Sequence, residues 1–170
     1  KSILLKLELE GVGAPELRVG VSGQYDRIAG KNATARPALP LEPIHEWIAN
    51  AYVAYPSETF IGIVEGYHLI HAADSGTWRT SGAFALLGYQ AGLVTPYVFG
   101  EAIRTSGGTD PFFARDLAAP ESLVLERTSG VLGTRLDVTT RSSIKLEYGV
   151  EKVEGEDLAH LARAVWAFGL

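Results

Sequence analysis

Apolar and polar residues alternate with a period of two along most of this chain. Between residues 17 and 26, Leu17, Val19, Val21 and Tyr25 interleave with Arg18, Gly20, Ser22, Gln24 and Asp26. Leu5, Leu7 and Leu9 alternate with Lys6, Glu8 and Glu10, and Leu132, Leu136 and Val138 with Gly133, Arg135 and Asp137. The set Ile144, Leu146, Tyr148 and Val150 stands against Lys145, Glu147 and Glu151. Successive strand residues point to opposite faces, so each segment predicts a strand with one apolar and one polar side. A slip of one residue would turn every side chain over, which makes these registers well specified. Less regular alternation predicts strands over 45–55, 59–71, 81–90 and 94–105, one around 122–139, and a last one ending at 170. Residues 156–164 have some helical character, but their tail reads better as the final strand. The expectation is one all-β antiparallel domain over 1–170, with about nine strands.

Length and connection sharpen that expectation. Strands of soluble domains average about 5–6 residues, whereas a strand crossing a bilayer obliquely needs about 9–11. Most segments here reach the second figure. The connectors EGVGAPE, YPSE, AGLV and TRS are short, while RIAGKNATARPALPLEP, AADSGTWR, SGGTDPFFARDLAAPES and EKVEGEDLA are longer and polar or rich in Pro and Gly. Short and long connectors alternate, as in an up-and-down transmembrane β-barrel with tight turns at one rim and loops at the other. Tyr55, Phe60, Tyr89, Tyr97, Trp166 and Phe168, with Tyr52, lie near the short turns or the final strand, where an aromatic girdle is expected. The competing reading is a soluble lipocalin-like binder with the alternation reversed, its apolar face lining the lumen.

Composition narrows the choice. The chain is 46% hydrophobic, yet it holds no run of about 18 apolar residues, so no helix spans a membrane and a closed sheet is the remaining spanning solution. A net charge of -5 gives no footprint for nucleic acid. Absence of cysteine removes disulfides and thiolate metal sites.

The terminal AVWAFGL resembles the C-terminal assembly signal of Gram-negative outer-membrane β-barrels, with Trp166, Phe168 and Leu170 in the outward-facing set and Leu170 where that family usually ends in Phe. Together with PELRVGVSGQYD, LVTPYVFGEAIRTSG, DPFF and GTRLDVTTRSSIKLEYGVEK, it is similar to the C-terminal part of porin-like barrels, the phosphate-selective-porin-like group and its relatives above all. The resemblance spans roughly residues 15–170. It implies an outer-membrane location and a passive channel for small hydrophilic solutes or ions. Lipid and lipopolysaccharide, the barrel assembly machinery, and further copies or envelope subunits are the partners it implies. It also implies a basic constriction, although the sequence offers no dense Lys/Arg ladder. Such barrels have an even number of strands; nine strands therefore lead to the expectation that this sheet is part of a larger barrel.

Glu65, Glu101, Arg104, Arg135, Asp137, Lys145, Glu147 and Arg163 are expected on the polar face, lining the pore or forming cross-strand ion pairs that hold the wall. A barrel occluded by loops or a partner, acting as an envelope scaffold, is the second functional reading. His68 and His71 are three apart, so a strand sends them to opposite faces; with His45 and His160 distant, no metal site is expected. Asp110-Pro111 should start a turn, with Phe112 and Phe113 anchoring the loop inward. No nucleophile, base and oxyanion donor assemble, GVSG being out of register for a nucleophile elbow. Neither enzyme chemistry nor a cofactor is indicated.

Overall fold

The computed structural model describes residues 2–29, 42–113 and 126–168. They form one antiparallel sheet of nine strands in sequence order, each hydrogen-bonded to the next. The strands are β1 (Ile3–Glu10), β2 (Arg18–Ile28), β3 (Ile44–Pro56), β4 (Phe60–Ala73), β5 (Gly76–Tyr89), β6 (Val94–Ser106), β7 (Arg127–Thr139), β8 (Ser142–Val153) and β9 (Ala159–Phe168). No helix occurs among the described residues. The sheet is open, with β1 and β9 as its edges. Below, the lower rim carries the turns at 11–17, 57–59, 90–93 and 140–141, and the upper rim carries the other connectors.

The expected segregation of long and short connectors holds only in part. Ala73 pairs with Gly76, so β4 and β5 join through Asp74 and Ser75 alone, and Trp78 and Arg79 belong to a strand rather than a loop. Polar residues in AADSGTWR disguise a tight upper turn. β7 begins at Arg127, and residues 122–125 lie outside the described ones, as does Leu170 of the expected assembly signal.

Register staggers steadily across the sheet. The row that starts at Leu9, low on β1, passes through Val53, Ala85 and Gly130 and reaches His160, high on β9. Tilted strands of a barrel wall require this kind of stagger. The two faces differ in chemistry. One carries Leu5, Leu7, Val21, Val53, Val64, Leu87, Val98, Leu132, Leu146 and Trp166; the other carries all the carboxylates of the strands. Only Ile44 and Leu69 are buried apolar residues among those described, so the apolar face covers no core. Leu146, Tyr148, Trp166 and Phe168 are 53%, 53%, 61% and 68% exposed. A lipocalin-like arrangement would cover this apolar side, which is exposed in the open sheet.

Two tyrosines bridge strands across the polar face. Tyr52 on β3 reaches over Gly20 of β2 to donate to Glu8 Oε2 of β1 at 2.5 Å, and Tyr97 on β6 reaches over Gly133 of β7 to donate to Glu147 Oε1 of β8. A Cβ on Gly133 would lie 2.3 Å from Tyr97 Cζ, and one on Gly20 2.2 Å from Tyr52 Cε1. Glycine is needed there because the ring lies flat on the backbone.

Candidate functional site

The polar face gathers charge into paired networks. Strand parity places Glu65, Glu101, Arg135, Asp137, Lys145, Glu147 and Arg163 on it, as expected. Arg104 is a correction: it shares a face with Val98, Gly100 and Ala102, and so lies on the apolar side. Tyr97 is a second correction, since it sits with Glu101 on the polar side rather than in an aromatic girdle, as does Tyr52. Tyr55, Tyr89, Trp166 and Phe168 do lie on the apolar face, with Phe60 against Tyr89 at a centroid distance of 5.1 Å and Trp166 against Phe168 at 4.7 Å.

Each polar-face arginine has a carboxylate. Arg127 grips Glu101 with both oxygens at 3.0 Å and lies 3.9 Å from Glu151. Arg163 meets Glu147 at 2.7 Å, Arg135 meets Asp137 at 2.6 Å, and Arg18 lies 3.5 Å from Glu10. Lys6 pairs with Glu8 at 2.8 Å, and Asn50 donates to Glu65 at 2.7 Å. Lys145 has no ion-pair partner among the described residues and faces Arg135 across the ladder. Glu101, Arg127, Arg135, Lys145, Glu147, Glu151 and Arg163 border a cavity of about 650 Å³ whose walls come from β4 through β9. Polar positions on β1–β4 hold Glu8, Glu10, Asp26, Glu46 and Glu65 against Lys6, Arg18 and His71. Those on β6–β9 balance Glu101, Asp137, Glu147 and Glu151 with Arg127, Arg135, Lys145 and Arg163. The face is thus weakly anionic, with the excess on its first four strands.

Near the upper rim the polar face carries a knot that the sequence did not reveal. The connector after β6 folds back over β5, and Asp110 Oδ2 lies 2.6 Å from His71 Nδ1. Glu46 Oε2 lies 2.8 Å from His71 Nε2. His71 is fully buried, Phe112 and Phe113 pack tilted against its ring with centroids at 4.9 Å and 5.5 Å, and Asp110 Oδ1 accepts the Phe112 N–H at 2.9 Å. The inward anchoring by Phe112 and Phe113 and the turn at Asp110 are as expected; the carboxylate–imidazole–carboxylate bridge is not. Both ring nitrogens face carboxylate oxygens, an arrangement that only the doubly protonated ring serves with two donors. Beside it, Glu42 Oε1 accepts the Ser75 N–H at 3.1 Å, and hydrogen bonding from Ser75 holds that carboxyl below the ordinary range.

His68 points to the apolar face, opposite His71, and no cluster among the described residues has the ligands for a metal ion. No protein-family model matches the chain, and no curated protein matches it.

Proposed function

We propose that this sheet is wall of an outer-membrane β-barrel, porin-like in giving passive passage to small hydrophilic solutes or ions. The observation that carries the proposal is the pairing of two faces: one apolar on all nine strands below the upper rim, largely exposed and free of carboxylates at every strand position, the other bearing the carboxylates. In water such an apolar face has no stable partner, because contiguous apolar patches beyond a few hundred Å² are rare on soluble monomers. In hydrocarbon it is the required surface, and the polar face then lines the lumen. β1 and β9 run in the same direction, so an antiparallel wall closes only through an odd number of further strands, and the proposed barrel is larger than this sheet. The test is reconstitution in liposomes followed by planar-bilayer recording. Stable insertion with ohmic conductance is expected; a protein that stays in the aqueous phase refutes the membrane reading.

A second reading, an occluded barrel serving as scaffold, draws on the knot at His71, which brings Phe112 and Phe113 onto the polar face. Insertion without conductance selects it.

A further inference from the structure

The outer face is apolar only to a level near the upper rim. There it carries Arg27, Arg79, Arg104 and Lys152, each exposed, with His45, His68 and His160 among them. These cations follow the stagger of the sheet. Arg27 lies two residues above Tyr25, whose register row leads through Trp47 and Ile70 to Arg79. Ser81, two below Arg79, pairs with Arg104; Ala102, two below Arg104, pairs with Thr128 and through it with Lys152. From β2 to β8 the positions descend about one residue per strand, the slope of a horizontal line on strands spaced about 4.8 Å and tilted about 40°. They therefore form a level collar. On β5, Arg79 lies ten residues above Tyr89, which at about 3.4 Å per residue and that tilt is about 26 Å, close to the height of a barrel's apolar band.

The collar differs from the polar face in one decisive respect. Arginines 18, 127, 135 and 163 of the polar face all have carboxylate partners, whereas Arg27, Arg79, Arg104 and Lys152 have none among the described residues. Arg104 Nη1 reaches only the Ile103 carbonyl and Thr128 Oγ1, and Lys152 Nζ donates to the Glu156 carbonyl. Of the acids near them, Glu126 spends its Oε1 on the Thr105 N–H at 3.0 Å and Glu42 its Oε1 on the Ser75 N–H at 3.1 Å, while Glu42 and Asp74 share a pocket with Arg27 without pairing to it. Cations with no carboxylate paired to them among the described residues, at one height, directly above apolar surface, call for anions at that height.

We propose that this collar binds the phosphate groups of anionic lipid headgroups in the leaflet at the upper rim. The proposal rests on the membrane reading above, and its test separates the two. Wild-type protein is first floated with pure phosphatidylcholine vesicles. It is then transferred to micelles, and phosphatidylglycerol and phosphatidylcholine adducts are measured by native mass spectrometry for wild type and R79Q/R104Q/K152Q. The wild type should prefer phosphatidylglycerol, the preference should fall with added salt, and the triple variant should weaken it by about a hundredfold, roughly fivefold per cation removed. Flotation failure refutes the membrane reading and the collar together. Flotation with equal adducts for the two lipids, or with wild type and variant alike, refutes the collar alone. Displacement of the lipid by inorganic phosphate at matching concentration assigns the cations to free phosphate and overturns the lipid commitment.

Discussion

The knot around His71 offers a prediction that is independent of any membrane. Asp110→Ala removes two hydrogen bonds, one to the buried imidazole at 2.6 Å and one to the Phe112 N–H at 2.9 Å. A hydrogen bond to a charged group contributes about 1.5–3 kcal/mol and an ordinary one about 1 kcal/mol. His71 is fully buried and the Asp110 side chain only 9% exposed, so solvent screens the pair little. Undocking of Phe112 and Phe113 should therefore become easier by about 3 kcal/mol, a rise of roughly 150-fold in the open population. Timed chymotrypsin cleavage after these two phenylalanines reads that population while reclosing outpaces cutting. The rate should rise by about two orders of magnitude in the variant. In the wild type it should be slowest where the His71 ring is doubly protonated and donates to both neighbours. Raising the pH removes one ring donor and leaves a carboxylate facing a lone pair. Cleavage equally fast in wild type and variant, and flat with pH, would refute the bridge.

Other consequences are more local. Gly133→Ala should push Tyr97 off the backbone, break its bond to Glu147 and cost about 1–3 kcal/mol in urea unfolding, the range for overpacking; an unchanged midpoint contradicts the close approach. Leu146→Arg, in the middle of the apolar band, should lose about 2–4 kcal/mol of insertion stability, whereas Ile70→Arg, on Arg79's register row, should lose about 0–1 kcal/mol. Equal costs would remove the depth assignment. If the lumen conducts, the excess of carboxylates on β1–β4 should give weak cation preference in a salt gradient, reduced by Glu65→Gln; anion preference is the contrary result.

Much of the fold was legible because a period of two is unambiguous wherever one face is uniformly apolar, as in β1, β2 and β8. It failed where that uniformity ends. Arg79 and Arg104 stand on the apolar face near its upper end, so a rule that sends charge to the polar side hides the start of β5 and misplaces Arg104. The signal was present: Val98, Gly100, Ala102 and Arg104 share parity, and so do Tyr97 and Glu101. Tyr97 was misjudged for the complementary reason, as an aromatic near a turn, when its hydroxyl reaches a carboxylate two strands away. The approach of Asp110 to His71 joins residues 39 apart in sequence through a fold-back over β5, and no local pattern encodes it.

Which face meets acyl chains is read most directly from the three tryptophans. Trp47 and Trp166 lie on the apolar face and Trp78 on the polar one. In single-tryptophan variants reconstituted with brominated lipids, Trp47 and Trp166 should be quenched by the lipid and Trp78 by aqueous iodide instead. Lipid quenching of Trp78, with Trp166 untouched, would invert the wall and contradict the account.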